Sequence, residues 1–104
     1  MSQSRKHRGA ATERLVAERL RTIWPYCNVQ RGNGPDLVET PGYAVEIKAR
    51  ANLAIPAFIK QATANTTGNA IPLLILRLNG QGPASIDDWP VVMKLSDFED
   101  LVRD

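Results

Sequence analysis

An α/β domain, with a mixed central sheet flanked by helices, is the fold class that three features of this 104-residue chain predict. Helical periodicity opens and closes the chain, and short β-rich runs separated by Gly and Pro turns fill residues 26–50. One nearly continuous apolar run, Ile71 to Leu78, reads as a strand covered on both faces. A hydrophobic content of 43% suffices for one compact domain, so residues 1–104 are expected to form a single unit around one core.

Gly9 to Trp24 is rich in helix formers and carries an apolar stripe of Val16, Ala17, Leu20, Ile23 and Trp24, which Pro25 ends. At about 100° per residue, Glu13 falls inside that stripe, while Arg14, Glu18 and Arg21 take the solvated side. A carboxylate there either favours the helix macrodipole at the edge of the core or serves a site. Tyr26 to Arg31 and Asp36 to Thr40 read as strands about the turn Gly32-Asn33-Gly34-Pro35. Pro41-Gly42 then leads into a third strand, Tyr43 to Arg50. Tyr43, Val45, Ile47 and Ala49 share one of its faces, and Ala44, Glu46, Lys48 and Arg50 the other. Pro56 opens a short second helix on which Phe58, Gln61, Ala62 and Asn65 recur before Gly68. Beyond Ile71 to Leu78, Trp89 to Leu95 supplies a further strand, and Ser96 with Glu99 matches a capping box for a closing helix bearing Phe98, Leu101 and Val102.

Thirteen Lys and Arg against eleven Asp and Glu give a net charge of +2, too small to establish nucleic-acid binding by itself. The distribution is polarised. Arg5, Lys6, His7 and Arg8 make residues 1–8 a basic leader, either a solvated, flexible tail or a phosphate-facing end, whereas Asp87, Asp88, Asp97, Glu99, Asp100 and Asp104 crowd the C-terminal end. Cys27 is the single cysteine, which excludes an internal disulfide, and neither it nor His7 has partners at metal-ligand spacing. Trp24, Trp89, Tyr26 and Phe98 are expected in the core or at a dimer interface rather than as base-stacking platforms. No window approaches the roughly 20 apolar residues a membrane span needs, and no secretory h-region follows the basic start, so the expected location is cytoplasmic, in a host if phage-encoded.

Chemistry enters where these elements combine. Period-two geometry puts Glu46 and Lys48 on one face with Cβ atoms about 6–7 Å apart. If Pro41-Gly42 closes a hairpin, Asp36 and Glu46 lie level on neighbouring strands, where two carboxylates converge on one hard cation such as Mg²⁺. Lys48 is then placed to act on a bound water. The plain alternative is a half-buried strand with ordinary polar surface.

Pro35-Asp36 followed by Glu46-Ile47-Lys48 resembles the signature of the PD-(D/E)xK nuclease superfamily. The likeness extends to Arg8-Gly9-Ala10-Ala11-Thr12-Glu13-Arg14, to Arg31-Gly32-Asn33-Gly34-Pro35-Asp36-Leu37-Val38 and to Val45-Glu46-Ile47-Lys48-Ala49-Arg50. It covers residues 5–78 and is most similar to archaeal and phage Holliday junction resolvases. The resemblance implies a restriction-endonuclease-like αβββαβ core, with an extra C-terminal strand and helix, and a metal-dependent DNA endonuclease that leaves 5′-phosphates. It implies that Asp36, Glu46 and the backbone carbonyl of Ile47 hold Mg²⁺, with Mn²⁺ as a substitute. Lys48 would orient or activate the attacking water, and Glu13 would join the metal shell or assist the base. Gln61 is an accessory candidate. Arg8, Arg14, Arg31 and Arg50 are candidates for DNA contacts, each with an ordinary surface role as the alternative. A four-way junction is cut on two symmetry-related strands, so the implied assembly is a homodimer on branched DNA. Two other readings stand beside this one: another PD-(D/E)xK repair or nicking nuclease, and a non-catalytic DNA-binding subunit whose cluster is a set of salt bridges. The acidic segment from Gly82 onward has no counterpart in the resolvase pattern.

Overall fold

The computed structural model describes residues 2–50, 52 and 54–103, with the backbone course alone for residues 2–8. Along them run α1 (Ser2–Leu20), β1 (Asn28–Val29), β2 (Leu37–Val38), β3 (Tyr43–Lys48), α2 (Ile55–Ala64), β4 (Ile71–Leu76), a 3₁₀ segment (Pro83–Asp88), β5 (Val91–Val92) and α3 (Leu95–Val102). This is the anticipated order with one addition, the 3₁₀ segment, and with different boundaries.

α1 starts ahead of the anticipated Gly9 and ends at Leu20, short of Trp24. A tightening turn takes up its last carbonyls. The amides of Ile23 and Trp24 both donate to Leu20 O, at 2.9 and 2.7 Å, and Thr22 Oγ1 donates to Arg19 O at 2.8 Å. Arg21 then ties the helix end to the incoming strand, its Nε donating to the Cys27 carbonyl at 2.8 Å. The side chains of Arg5, Lys6, His7 and Arg8 lie outside the described residues.

β1 and β2 pair antiparallel over two residues each, far shorter than the strands anticipated over 26–31 and 36–40. Side chains occupy the backbone donors that would lengthen them. Asn28 Oδ1 accepts from Val29 N–H at 2.8 Å, and Gln30 Oε1 accepts from the amides of Arg31 and Gly32 at 3.2 and 3.4 Å. Glu39, at a left-handed φ of 59°, stops β2 at its other end. Pro41 and Gly42, the latter at φ 88°, fill the centre of a turn closed by Tyr43 N–H on Thr40 O at 2.9 Å, as a type II turn requires.

β3 and β4 pair parallel from Tyr43–Ile71 to Lys48–Leu76, and β5 joins β4 antiparallel, so the sheet is mixed. α2 forms the crossover, and it covers one face of the sheet while α1 covers the other. Val16 and Ala17 of α1 share a buried cluster with Val45, Ile47 and Ile75; Phe58 of α2 clusters with Leu74 and Leu76. Because strand side chains alternate, Glu46 and Lys48 belong to the α2 face. Ordinary polar surface is therefore not what Glu46 meets: it is 1% exposed, beneath α2.

The C-terminal part departs most from expectation. The 3₁₀ segment occupies what the sequence marks only as a break, delivers Trp89 into the core, and leaves β5 just Val91–Val92 instead of Trp89 to Leu95. Lys94, without a side-chain cap, precedes α3, so Ser96 lies inside the helix rather than at its cap. Leu95, Phe98, Leu101 and Val102 remain exposed. Trp24 packs against the core, 5.5 Å from the Tyr43 ring, whereas Tyr26 on the turn and Phe98 on α3 are 83% and 50% exposed, which removes the core from their two expected placements. No helix among the described residues is long and apolar enough to cross a membrane.

Candidate functional site

Asp36 stands where the two-stranded β1–β2 sheet adjoins the three-stranded β3–β4–β5 sheet. Its N–H donates to Val45 O at 2.9 Å, and its Oδ2 accepts from Ile47 N–H at 2.7 Å. The side-chain carboxylate thus takes the position of a ladder carbonyl, which sets Asp36 level with Glu46, the arrangement the Pro41-Gly42 turn suggests. Amide and carbonyl of one strand residue point to the same edge, so the Ile47 carbonyl faces the edge where Asp36 stands rather than β4.

Glu46 meets two partners from different elements. Asn65 Nδ2, at the end of α2, donates to Glu46 Oε1 at 2.6 Å, and Asp36, fixed on the amide of the next residue, Ile47, acts on the same carboxyl group. Burial pushes the Glu46 pKa above the ordinary carboxylate value; the Asn65 hydrogen bond draws it back, Asp36 raises it by charge and by hydrogen bonding, and Lys48 lowers it. A carboxylate as buried as Glu46, with the charge of Asp36 acting on it, is costly unless a cation offsets it.

Glu13 reaches toward the pair from α1. Its pKa is raised, first by burial and next by the charge of Asp36, while Lys48 and Arg14 lower it. Among the described residues, no three His, Cys, Asp or Glu side chains gather as a metal-holding group. Lys48, half-buried at the end of β3, has its Nζ 5.1 Å from the centroid of the Phe58 ring, and the Arg50 guanidinium carbon lies 5.6 Å from the same ring.

Gln61 is exposed. The polar contact from α2 to Glu46 comes instead from Asn65, four residues further along the helical stripe that the sequence displays. Phe58 and Asn65 are the functional neighbours that sequence reasoning passes over, although their spacing with Ala62 already places all three on one side of the helix. Arg14, Arg31 and Arg50 are exposed, while the Arg8 side chain lies outside the described residues. A shallow groove of ≈ 420 Å³ runs along β2, lined by Pro35, Leu37, Glu39 and Tyr43 among others; it adjoins the acids at Pro35 without being lined by them.

Comparison of the chain with protein-family models, with curated proteins and with solved structures gives no match in any of the three.

Proposed function

We propose that this protein is a metal-dependent DNA endonuclease of the PD-(D/E)xK kind, with a restriction-endonuclease-like core, acting on branched DNA as a Holliday junction resolvase does. One observation carries the reading: Asp36, whose Oδ2 accepts from Ile47 N–H at 2.7 Å, stands level with the buried Glu46, with Lys48 two residues further along the same strand face. A structural ion-pair cluster would set each acid against its own cation, whereas here acid is set against acid.

The residues fit a hard divalent ion. Mg²⁺ is commonly held by one or two carboxylates and keeps several waters, which the Asp36–Glu46 pair and the neighbouring Ile47 carbonyl accommodate without a third acidic ligand. When bound, Mg²⁺ or Mn²⁺ supplies neutralising charge for the phosphate and the leaving oxygen. Lys48 holds the attacking water in line with the scissile phosphorus, through its ammonium hydrogens. Glu13, outside the acid pair and with a raised proton affinity, is suited to take a proton from that water. Arg14, Arg31 and Arg50 present guanidinium groups to flanking phosphates. Two sites on one junction require a two-fold dimer, for which the exposed apolar side of α3 supplies a surface. The location that goes with this reading is the cytoplasm, that of a host if the protein is phage-encoded.

Cleavage of a labelled immobile four-way junction beside matched duplex, single-stranded and flap DNA, with Mg²⁺ or EDTA, tests the proposal. Paired symmetric nicks on the junction, lost in EDTA and in Glu46→Ala, are the expected result. Cutting of another substrate retains the nuclease and replaces the resolvase by a repair or nicking enzyme. Tight DNA binding with no metal-dependent cleavage makes the chain a non-catalytic DNA-binding subunit.

A further inference from the structure

We propose that Asn65 is a positioning residue for the cation site: its side-chain amide holds Glu46 turned toward Asp36, so that α2 sets the geometry at which the two carboxylates bind a divalent ion. The inference rests on the reading of Asp36 and Glu46 as cation ligands.

The contact is short and comes from far along the chain, Asn65 Nδ2 to Glu46 Oε1 at 2.6 Å across 19 residues. The amide orientation follows from chemistry, because the opposite flip would set the Asn65 carbonyl oxygen against a carboxylate oxygen. A buried carboxylate needs a donor, and the kind of donor matters. A lysine or arginine there would satisfy Glu46 by cancelling the charge that a cation requires. A neutral amide satisfies one oxygen and leaves the charge in place. Lys48, the nearby cation, is turned to the Phe58 ring at 5.1 Å.

Helix capping does not account for an asparagine at this position. Asn is favoured at helix ends where the backbone turns left-handed, yet Asn65 has φ −85° and ψ −2°, which any residue adopts. The left-handed residue after α2 is Gly68, at φ 61°. Asn65 is anchored nonetheless, its backbone N–H donating to Gln61 O at 3.0 Å. Phe58, two turns earlier, lies within about 20° of the same helix face. One face of α2 therefore holds Glu46 at one end and Lys48 at the other.

Mn²⁺ titration by calorimetry of the full chain, wild type against Asn65→Leu and Asn65→Ala, tests this, with far-UV circular dichroism as a check on folding. The expected result is a native spectrum with Mn²⁺ affinity weakened about ten- to a hundredfold, the usual cost of losing the partner of a metal ligand. In a Glu46→Ala background the same substitutions should change residual Mn²⁺ binding by less than about twofold, since the coupling runs through Glu46. Should the leucine fail to fold, the smaller alanine is read by the same criteria. Wild-type binding that both substitutions leave unchanged overturns the inference alone. Absence of any Mn²⁺ binding by the wild type overturns the cation-site reading, and this inference with it.

Discussion

Two polar groups lie side by side at the ends of the parallel strands, and they are built on opposite logic. Arg77, just beyond β4, donates from Nη1 to Thr12 Oγ1 at 2.9 Å and from Nε to Gln81 O at 3.0 Å, and its guanidinium lies 5.4 Å from the Trp89 ring. One strand over, past a backbone bond from Arg77 N–H to Lys48 O, Glu46 and Asp36 set acid beside acid. The arginine is a lock: donors meet acceptors, and the cation stacks on an aromatic face. The acid pair is the reverse: burial holds the Glu46 carboxyl above its ordinary value, and Asp36 adds to that rise. Strained electrostatics next to satisfied electrostatics is how a site is told apart from scaffold.

Exchanging the roles breaks the comparison most visibly. Glu46→Gln keeps size and removes charge; it should lower junction cleavage at least about a thousandfold while raising the Tm of the metal-free protein, because a desolvated carboxylate is gone. Arg77→Met should do the opposite. Loss of its hydrogen bonds is expected to cost about 2 kcal/mol, a Tm lower by roughly 8–16 °C in thermal melts, with Mn²⁺ affinity intact in the folded fraction.

Proton linkage sharpens the same contrast. Glu46 and Glu13 hold their protons more tightly in the fold than in the unfolded chain, whose value is near 4.5. Folded protein therefore binds more protons, and metal-free stability falls as pH rises from that value through the raised folded pKa values. Mg²⁺ favours the charged forms, so its stabilising effect grows over the same range. Melts between pH 4 and 8, with EDTA and with Mg²⁺, should show the two curves diverging toward high pH; parallel curves would argue against cation binding by these acids. The smallest effect belongs to Arg31→Ala, which should weaken DNA binding across sequences alike and reduce its salt slope by about one.

Much of this contrast is legible in the sequence, though unevenly. Pro41-Gly42, if it closes a tight turn, and the period of β3 already put Asp36 level with Glu46, since a tight turn and a two-residue repeat are local matters. Burial of Glu46 is not legible, because it depends on α2 folding back across a face whose alternation with Val45 and Ile47 reads as solvent-facing. Asn65 is hidden for the same reason: its spacing identifies a helix face but not what that face covers. The 3₁₀ segment after Gly82 escapes notice because Gly and Pro announce a break without specifying its shape, and Trp89 follows that shape into the core.

The hydrogen bond from Ile47 N–H to Asp36 spans 11 residues, whereas the bond from Arg77 to Thr12 spans 65. By loop-closure entropy alone the longer contact costs about 1.6 kcal/mol more to bring together. The acid pair closes a short loop, whereas the lock joins α1 to the residue just beyond β4 and ties together most of the chain between them. A divalent ion bridging Asp36 and Glu46 would therefore restrict little of the unfolded chain, while the arginine contact restricts much of it.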